Sequence, residues 1–470
     1  GDMQYFLGVN KMCQHLYPYS MARGGKTDHP PVFSPHGNWF KGFGTFNEYF
    51  NRLGYLVANT EEKVDIAIIH PMRDIWLDYI REVDYPSIKE TEERFAALVA
   101  DLRKHGVTYH YIDETLLKKY GKNEKGGLKM GERLYKTVLV PQMKTISAYT
   151  LEILKHFSGK LCVLGKPQYV DGVKTDVELS GNMSYDELTA NTELAFSCED
   201  GRTFVAHRSG ELGDFIFIKN LSYDKDSHVK LSGLADNYKI FDLSALTEEN
   251  ATDEFDLRAG EGLVFIKDET AKASTVKSSE KDFTDEFSVS SVTENYLVMD
   301  YCQIARGNAE FGKVRPIYGH FEDLLREDYK GELGVKQTFK LNEIMPLTFV
   351  MEKADIKRLT VNGKPVTLRR GTFDVNFVEA DITDKLVGGE NEIVYTFDFY
   401  EHDGVNFALF DPLATESLRN CLYYDTSIET TYLRGDFVVE KDRSLSTRKT
   451  LPAVTDKLYE NGYPFFKGQG

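Results

Sequence analysis

The densest chemistry in the sequence lies between Asn10 and Trp39, where His15, Tyr17, Tyr19, His29, His36 and Trp39 follow one another in a polar, aromatic stretch. Aromatic faces stack on the C–H groups of a pyranose ring, and histidine or asparagine side chains hydrogen-bond its hydroxyls. His15, Tyr17, Tyr19, His36 and Trp39 are therefore the expected substrate-binding residues of a sugar site. The competing reading is that Tyr17, Tyr19 and Trp39 simply pack the stretch onto its neighbours. The spacing of His15, Asp28, His29 and His36 matches no helical ligand motif such as HExxH, and no metal is expected there. Cleavage of a glycosidic bond usually needs two carboxylates facing each other across it. Near the stretch only Asp28 and Glu48 are acidic. Glu48 falls on a helical pattern and is expected in solvent, and Asp28, ahead of His29-Pro30-Pro31, is expected to fix a turn. The catalytic residues are unknown on this reading.

The elements around the stretch suggest how it is positioned. Tyr5–Val9 is a short apolar run of the kind that makes a buried strand. Phe46, Tyr49, Phe50, Leu53 and Val57 recur at helical spacing. Strand, loop and helix are the parts of one βα unit, and one such unit cannot close a core by itself. Residues 1–62 are expected to be the closing βα segment of a TIM barrel, with the loop at the strand's C-terminal end, where barrel sites sit.

Residues 63–180 alternate apolar strands (Val64–Ile69, Val107–Ile112, Thr137–Val140, Leu161–Leu164) with helices around Phe95–Leu102 and Ile146–Phe157. That alternation predicts a flavodoxin-like parallel sheet covered on both faces. The turn after its first strand, His70-Pro71-Met72-Arg73-Asp74, lacks the glycines a dinucleotide needs, and no cofactor is expected. No Gly-x-Cys-x-Gly elbow is present, so Cys162 is expected in the core, and Asp65, Arg73 and Trp76 at packing or interface positions.

Beyond residue 181 the helical period gives way to short alternating segments, Phe204–Arg208, Phe215–Asn220, Tyr238–Asp242 and Gly262–Lys267, which predict a β-sandwich over 181–270. A polar stretch from Lys267 to Glu286 looks like a linker. Residues 271–440 carry a second series: Tyr296–Tyr301, Gly334–Leu341, Leu347–Met351, Ile356–Val361, Gly371–Val378 and Asn391–Phe399. The pair Asn362-Gly363 is a type I′ hairpin signal, and the whole predicts a galactose-binding-like jelly roll. A structural role for it competes with a carbohydrate-binding face. Residues 441–470 are expected to be a linker into a following domain. The fold class is thus multidomain α/β plus all-β.

Composition narrows the function classes. A net charge of −17 over 470 residues argues against nucleic acid, which needs a basic face, and suits a neutral partner such as a sugar. No apolar run is long enough to span a membrane. Five scattered cysteines with no CxxC pair signal neither zinc nor a disulfide framework and are expected as buried thiols. No signal peptide opens the chain, Gly1 is expected to be a cloning remnant, and localisation stays open, secretion or periplasmic export being compatible with the full-length protein.

Several segments, in order, resemble one family arrangement. LTVNGKPV…ADITDKLVGGENEIVYTF (Leu359–Phe397) resembles the sugar-binding-domain signature of glycoside hydrolase family 2. GVNKMCQHLYPYS, KTDHPPVFSPHGNWF and FNEYFNRLGYL resemble the last βα unit of the barrel in α-L-rhamnosidases of family 106. IAIIHPMRDIW resembles the start of the flavodoxin-like domain that follows the barrel in β-galactosidases with a trimerisation domain. TYLRGDF (Thr431–Phe437) and GYPFFKG (Gly462–Gly468) also resemble the family 106 pattern. The resemblance implies a glycoside hydrolase of plant or microbial polysaccharide whose acid and nucleophile or base come from earlier strands, ahead of Gly1. No catalytic residue carries over, and only His15, Tyr17 and Tyr19 fall on the implied substrate-facing loop. The chain is then an internal fragment without a complete active site, with a subunit interface, if any, on the flavodoxin-like domain. A non-catalytic carbohydrate-binding or assembly module, and a flavodoxin-like binding protein, are the competing functions.

Overall fold

The computed structural model of the chain describes residues 1–15, 17–26, 33–80, 86–190, 196–198, 201–272, 288–452 and 457–466. The chain folds as two compact units, Gly1–Met12 with Gly44–Ser278, and Cys13–Phe43 with Ser279–Gly470.

In the first unit the strands His110–Ile112, Ile66–Ile69, Thr137–Val140 and Lys160–Val163 lie side by side in that order, all parallel. The first strand in sequence is flanked by the second and third, the order of a flavodoxin-type doubly wound sheet. Side-chain alternation sends Ala67, Ile69, Val138 and Val140 to one apolar core and Ile68, Leu139 and Cys162 to the other. This explains why these strands read as continuous apolar runs rather than alternating ones. The helices Pro86–Lys104 and Tyr185–Ala190 contribute Leu102 and Leu188 to the second core. Tyr185–Ala190 therefore covers the parallel sheet, although its position in sequence suggested the β-sandwich.

That sandwich pairs a six-stranded sheet, including Thr203–Gly210, Gly213–Asn220, Gly262–Lys267 and Tyr238–Asp242, with the three strands Phe196–Cys198, Ser227–Leu231 and Glu254–Leu257. Val205, Ile216, Ile218 and Phe265 fill the space between the sheets. The outer face of the larger sheet is covered by the helix Phe43–Ala58 and by the segment expected as a strand at Tyr5–Val9. Tyr5 and Phe6 instead close a one-turn helix, Asp2–Phe6, and Leu7–Val9 follow it as turn and loop. Among the described residues no strand pairs with it. A lone strand would leave its N–H and C=O groups unpartnered, whereas a helical turn satisfies several of its own. Phe6 stacks on Phe217 with ring centroids 5.0 Å apart, and Leu53, Leu56 and Val57 join the same core.

The second unit is a two-sheet sandwich, antiparallel except where Leu341 pairs in parallel with Leu445. One sheet runs Asn295–Met299, Thr431–Gly435, Thr348–Glu352, Phe377–Asp381, Arg369–Arg370. The other is built on Tyr301–Arg306, Gly331–Leu341, Gly389–Phe399 and Arg358–Val361. Leu297, Phe349, Met351 and Leu433 from the first meet Leu333, Val335, Ile393 and Tyr395 from the second. At Asn362-Gly363 both residues have positive φ, 48° and 75°, as a type I′ turn requires. Two expectations change here. Gly371–Val378 is mostly loop, and its strand begins at Phe377, because Asp374 turns the chain with its carboxylate on the Asn376 N–H. The stretch after residue 440, expected to be a linker, is built into the sandwich where described: Leu445–Thr447 pairs with Phe437–Val439, and Tyr463 is buried. Of the cysteines, Cys162, Cys198 and Cys302 are buried but Cys13 and Cys421 are exposed. The supposed linker over residues 273–287 lies outside the described residues.

Candidate functional site

In the first sheet of the second unit, alternation turns one row of side chains to the core and the other outward. Tyr296 and Val298, Tyr432 and Arg434, Val350, and Phe377 and Glu379 all point away from the core. Strand register sets Val298, Tyr432, Val350 and Glu379 side by side across the sheet, with Tyr296 opposite Arg434 one row on. These residues floor a cavity of about 620 Å³. Its walls come from Gly371–Phe373, from Phe465, and from the polar, aromatic stretch near the N-terminus, which contributes Met21, Lys26, Pro35, His36, Gly37, Phe40 and Lys41. The lining is mainly aromatic and aliphatic with a few convergent charged groups, the usual make-up of a small-molecule site.

Glu379 is almost fully buried and meets two guanidinium groups, Arg434 at 3.2 Å and Arg369 at 3.3 Å. Arg434 also lies 3.0 Å from Glu294 through its Nε. Burial alone would lower the Arg434 pKa, but the charges of Glu294 and Glu379 hold it above its ordinary value. Burial raises the pKa of Tyr296 and of Tyr432, so both phenols stay protonated and can donate.

Two buried carboxylates tie the stretch down. Asp374 accepts from Ser20 Oγ at 2.7 Å, Met21 N–H at 2.6 Å and Asn376 N–H at 2.8 Å, and His36 Nε2 lies 3.0 Å away. Burial pushes the Asp374 pKa up, yet the Asn376 and Met21 N–H groups, Ser20 and His36 outweigh it and hold it below the usual carboxylate range. Glu352 accepts from Arg23 N–H at 2.8 Å and pairs with Lys26, whose Nζ also reaches Glu429 at 2.9 Å.

The expected site residues separate on this geometry. His36 lines the cavity, but its ring nitrogens are engaged by Asp374 and by Ser34 Oγ at 3.0 Å, and its ring meets Phe373 edge-on. It holds the wall in place. Trp39 is not among the lining residues. It packs edge-on against Phe33 and Phe43 in an aromatic cluster behind Phe40. Tyr17 meets Phe40 edge-on but is largely exposed, and His15 and Tyr19 are exposed outside the cavity. Asp28 and His29 lie outside the described residues. Glu379, Arg434, Tyr296, Tyr432 and Lys26 were not expected. The signal available for Tyr432 and Arg434 was the alternation in TYLRG, which sets both on one face of a strand.

The C-terminal edge of the parallel sheet is the other place where this type of fold binds ligands. The buried Asp74 carboxylate accepts from Lys144 N–H at 2.7 Å and Thr145 N–H at 2.9 Å.

No family model matches the chain, and no curated protein sequence does. Among solved structures, the chain is similar to a rhamnosidase from Novosphingobium sp. PP1Y, with 12% identity and a TM-score of 0.39, over 92% of this chain and 45% of that one. It is also similar to a GH42 β-galactosidase from G. stearothermophilus, with 12% identity and a TM-score of 0.34, over 49% of this chain and 44% of that one. A β-galactosidase from Rahnella sp. R3 matches with 11% identity and a TM-score of 0.27, over 47% of this chain and 44% of that one. The chain spans less than half the length of each of these proteins. At these scores the likenesses decide nothing about its chemistry.

Proposed function

We propose that the chain is a portion of a glycoside hydrolase acting on plant or microbial polysaccharide, and that the cavity of its second unit binds carbohydrate. The carrying observation is the pairing of an aromatic lining, Tyr296, Tyr432, Phe373 and Phe40, with the Glu379–Arg434 ion pair at one corner. Rings offer faces for pyranose C–H groups, and the charged corner offers acceptors and donors for hydroxyls. The segment resemblances from Gly8 to Gly468 support the enzyme class, with an α-L-rhamnoside as the finer substrate reading.

On this reading the catalytic carboxylates lie outside the chain. Glu379 and Glu294 both pair with the guanidinium of Arg434 rather than facing each other across an open gap as a catalytic pair must. The same observation favours a second reading, a non-catalytic carbohydrate-binding module. Calorimetric titration of the chain with neutral methyl glycosides, together with a turnover assay on aryl glycosides, tests both. The expected outcome is saturable binding without turnover, and binding reduced about tenfold or more by Tyr432→Ala, in the range of the ~1–3 kcal/mol that a stacked aromatic supplies elsewhere. Turnover by the purified chain would refute the placement of the catalytic groups. Binding unaffected by Tyr432→Ala would refute the site.

A further inference from the structure

The charges around the cavity carry a statement about which sugars it takes. The half-buried basic side chains there are already committed to carboxylates. Lys26 faces Glu352 and Glu429, Arg434 faces Glu379 and Glu294, and His36 faces Asp374. Lys41 is exposed and is itself already engaged within the protein.

Resting on the carbohydrate reading above, we propose that this cavity is a subsite for a neutral sugar unit and discriminates against uronic acids and other anionic sugars, through the Glu379–Arg434–Glu294 corner. A neutral ring brings hydroxyls that donate to the carboxylate oxygens and accept from the guanidinium while the existing ion pairs stay intact. A uronate brings a further negative charge beside two carboxylates that already share one guanidinium. It must then either lie unpaired in an apolar cavity or draw Arg434 away from Glu379, which would be left buried with only the largely exposed Arg369. Burying a charge without a partner is costly. Tyr296, Tyr432, Val298 and Val350 offer no countercharge.

The test is competition by saturation-transfer NMR at pH 7, using methyl β-D-galactopyranoside and its C6 uronate, which differ only in the carboxylate. The chain is expected to hold the neutral glycoside at least roughly tenfold more tightly. Glu294→Gln, at a half-exposed position, removes one negative charge while preserving shape, and is expected to narrow that ratio several-fold. Glu379→Gln is expected to narrow it further, with far-UV circular dichroism confirming that the variant is folded. Equal or tighter binding of the uronate overturns the inference but leaves the carbohydrate site standing. A ratio unchanged in Glu294→Gln overturns the assignment to this corner. Failure of both sugars, and of other neutral glycosides, to bind overturns the carbohydrate reading and this inference with it.

Discussion

Asp374 shows how much one side chain can organise. Its two oxygens gather three hydrogen-bond donors and the His36 ring, from a loop 354 positions away in sequence and from its own turn. With its folded-state pKa depressed, Asp374 contributes stability that is fully present above its unfolded value of about 4 and is lost as pH falls through the folded value. Asp374→Ala is expected to cost on the order of 3 kcal/mol, since it removes a buried charge with its partners left in place. It is also expected to abolish this part of the acid dependence, read by near-UV circular dichroism during acid titration below about pH 5. His36 was legible as a candidate because histidine beside aromatics suggests hydroxyl binding. Its actual partner could not be read, because nothing local in SPHGNW points to a carboxylate so distant in the chain. Glu379 and Arg434 were missed for the same reason: each looks like solvating charge on its own strand, and only cross-strand register makes them a pair.

Secondary-structure elements were the most readable level. Parallel-sheet strands announced themselves as apolar runs, and the hairpin at Asn362-Gly363 as a turn signal, because both depend on local pattern and backbone preference. Tyr5–Val9 went the other way: five mostly apolar residues cannot distinguish a buried strand from a buried helical turn, and the partner that decides is the Phe217 face of a distant sheet. The helix Phe43–Ala58 was clear from its period, but its anchor was not. Buried Arg208 closes its C-terminal end, donating through Nη2 to Val57 O at 3.0 Å and Thr60 O at 2.7 Å, and through Nε to Thr60 Oγ1 at 3.1 Å. A planar fork makes three such bonds where an ammonium on a shorter reach cannot. Arg208→Lys is therefore expected to cost about 2 kcal/mol, with orphaned carbonyls at the helix end. Amide hydrogen exchange should locate the loss in the last turn of that helix, and protection unchanged there would count against the assignment.

For the whole molecule, the succession of a parallel α/β sheet, a first β-sandwich and a second one followed from changes in hydrophobic period along the chain. The division into units did not, because Cys13–Phe43 leaves its sequence neighbours and joins the second sandwich through Asp374 and Glu352. That rearrangement gives the account its centre: the loop rich in histidine and aromatic residues serves as one wall of a cavity whose floor comes from residues beyond position 290. The most direct measurement is a crystal of the chain soaked with a neutral methyl glycoside. Sugar density against Tyr432 and Phe373, with a hydroxyl within hydrogen-bond distance of Glu379 or Arg434, is the predicted result. Well-ordered sugar on another face, with this cavity holding only water, would contradict it.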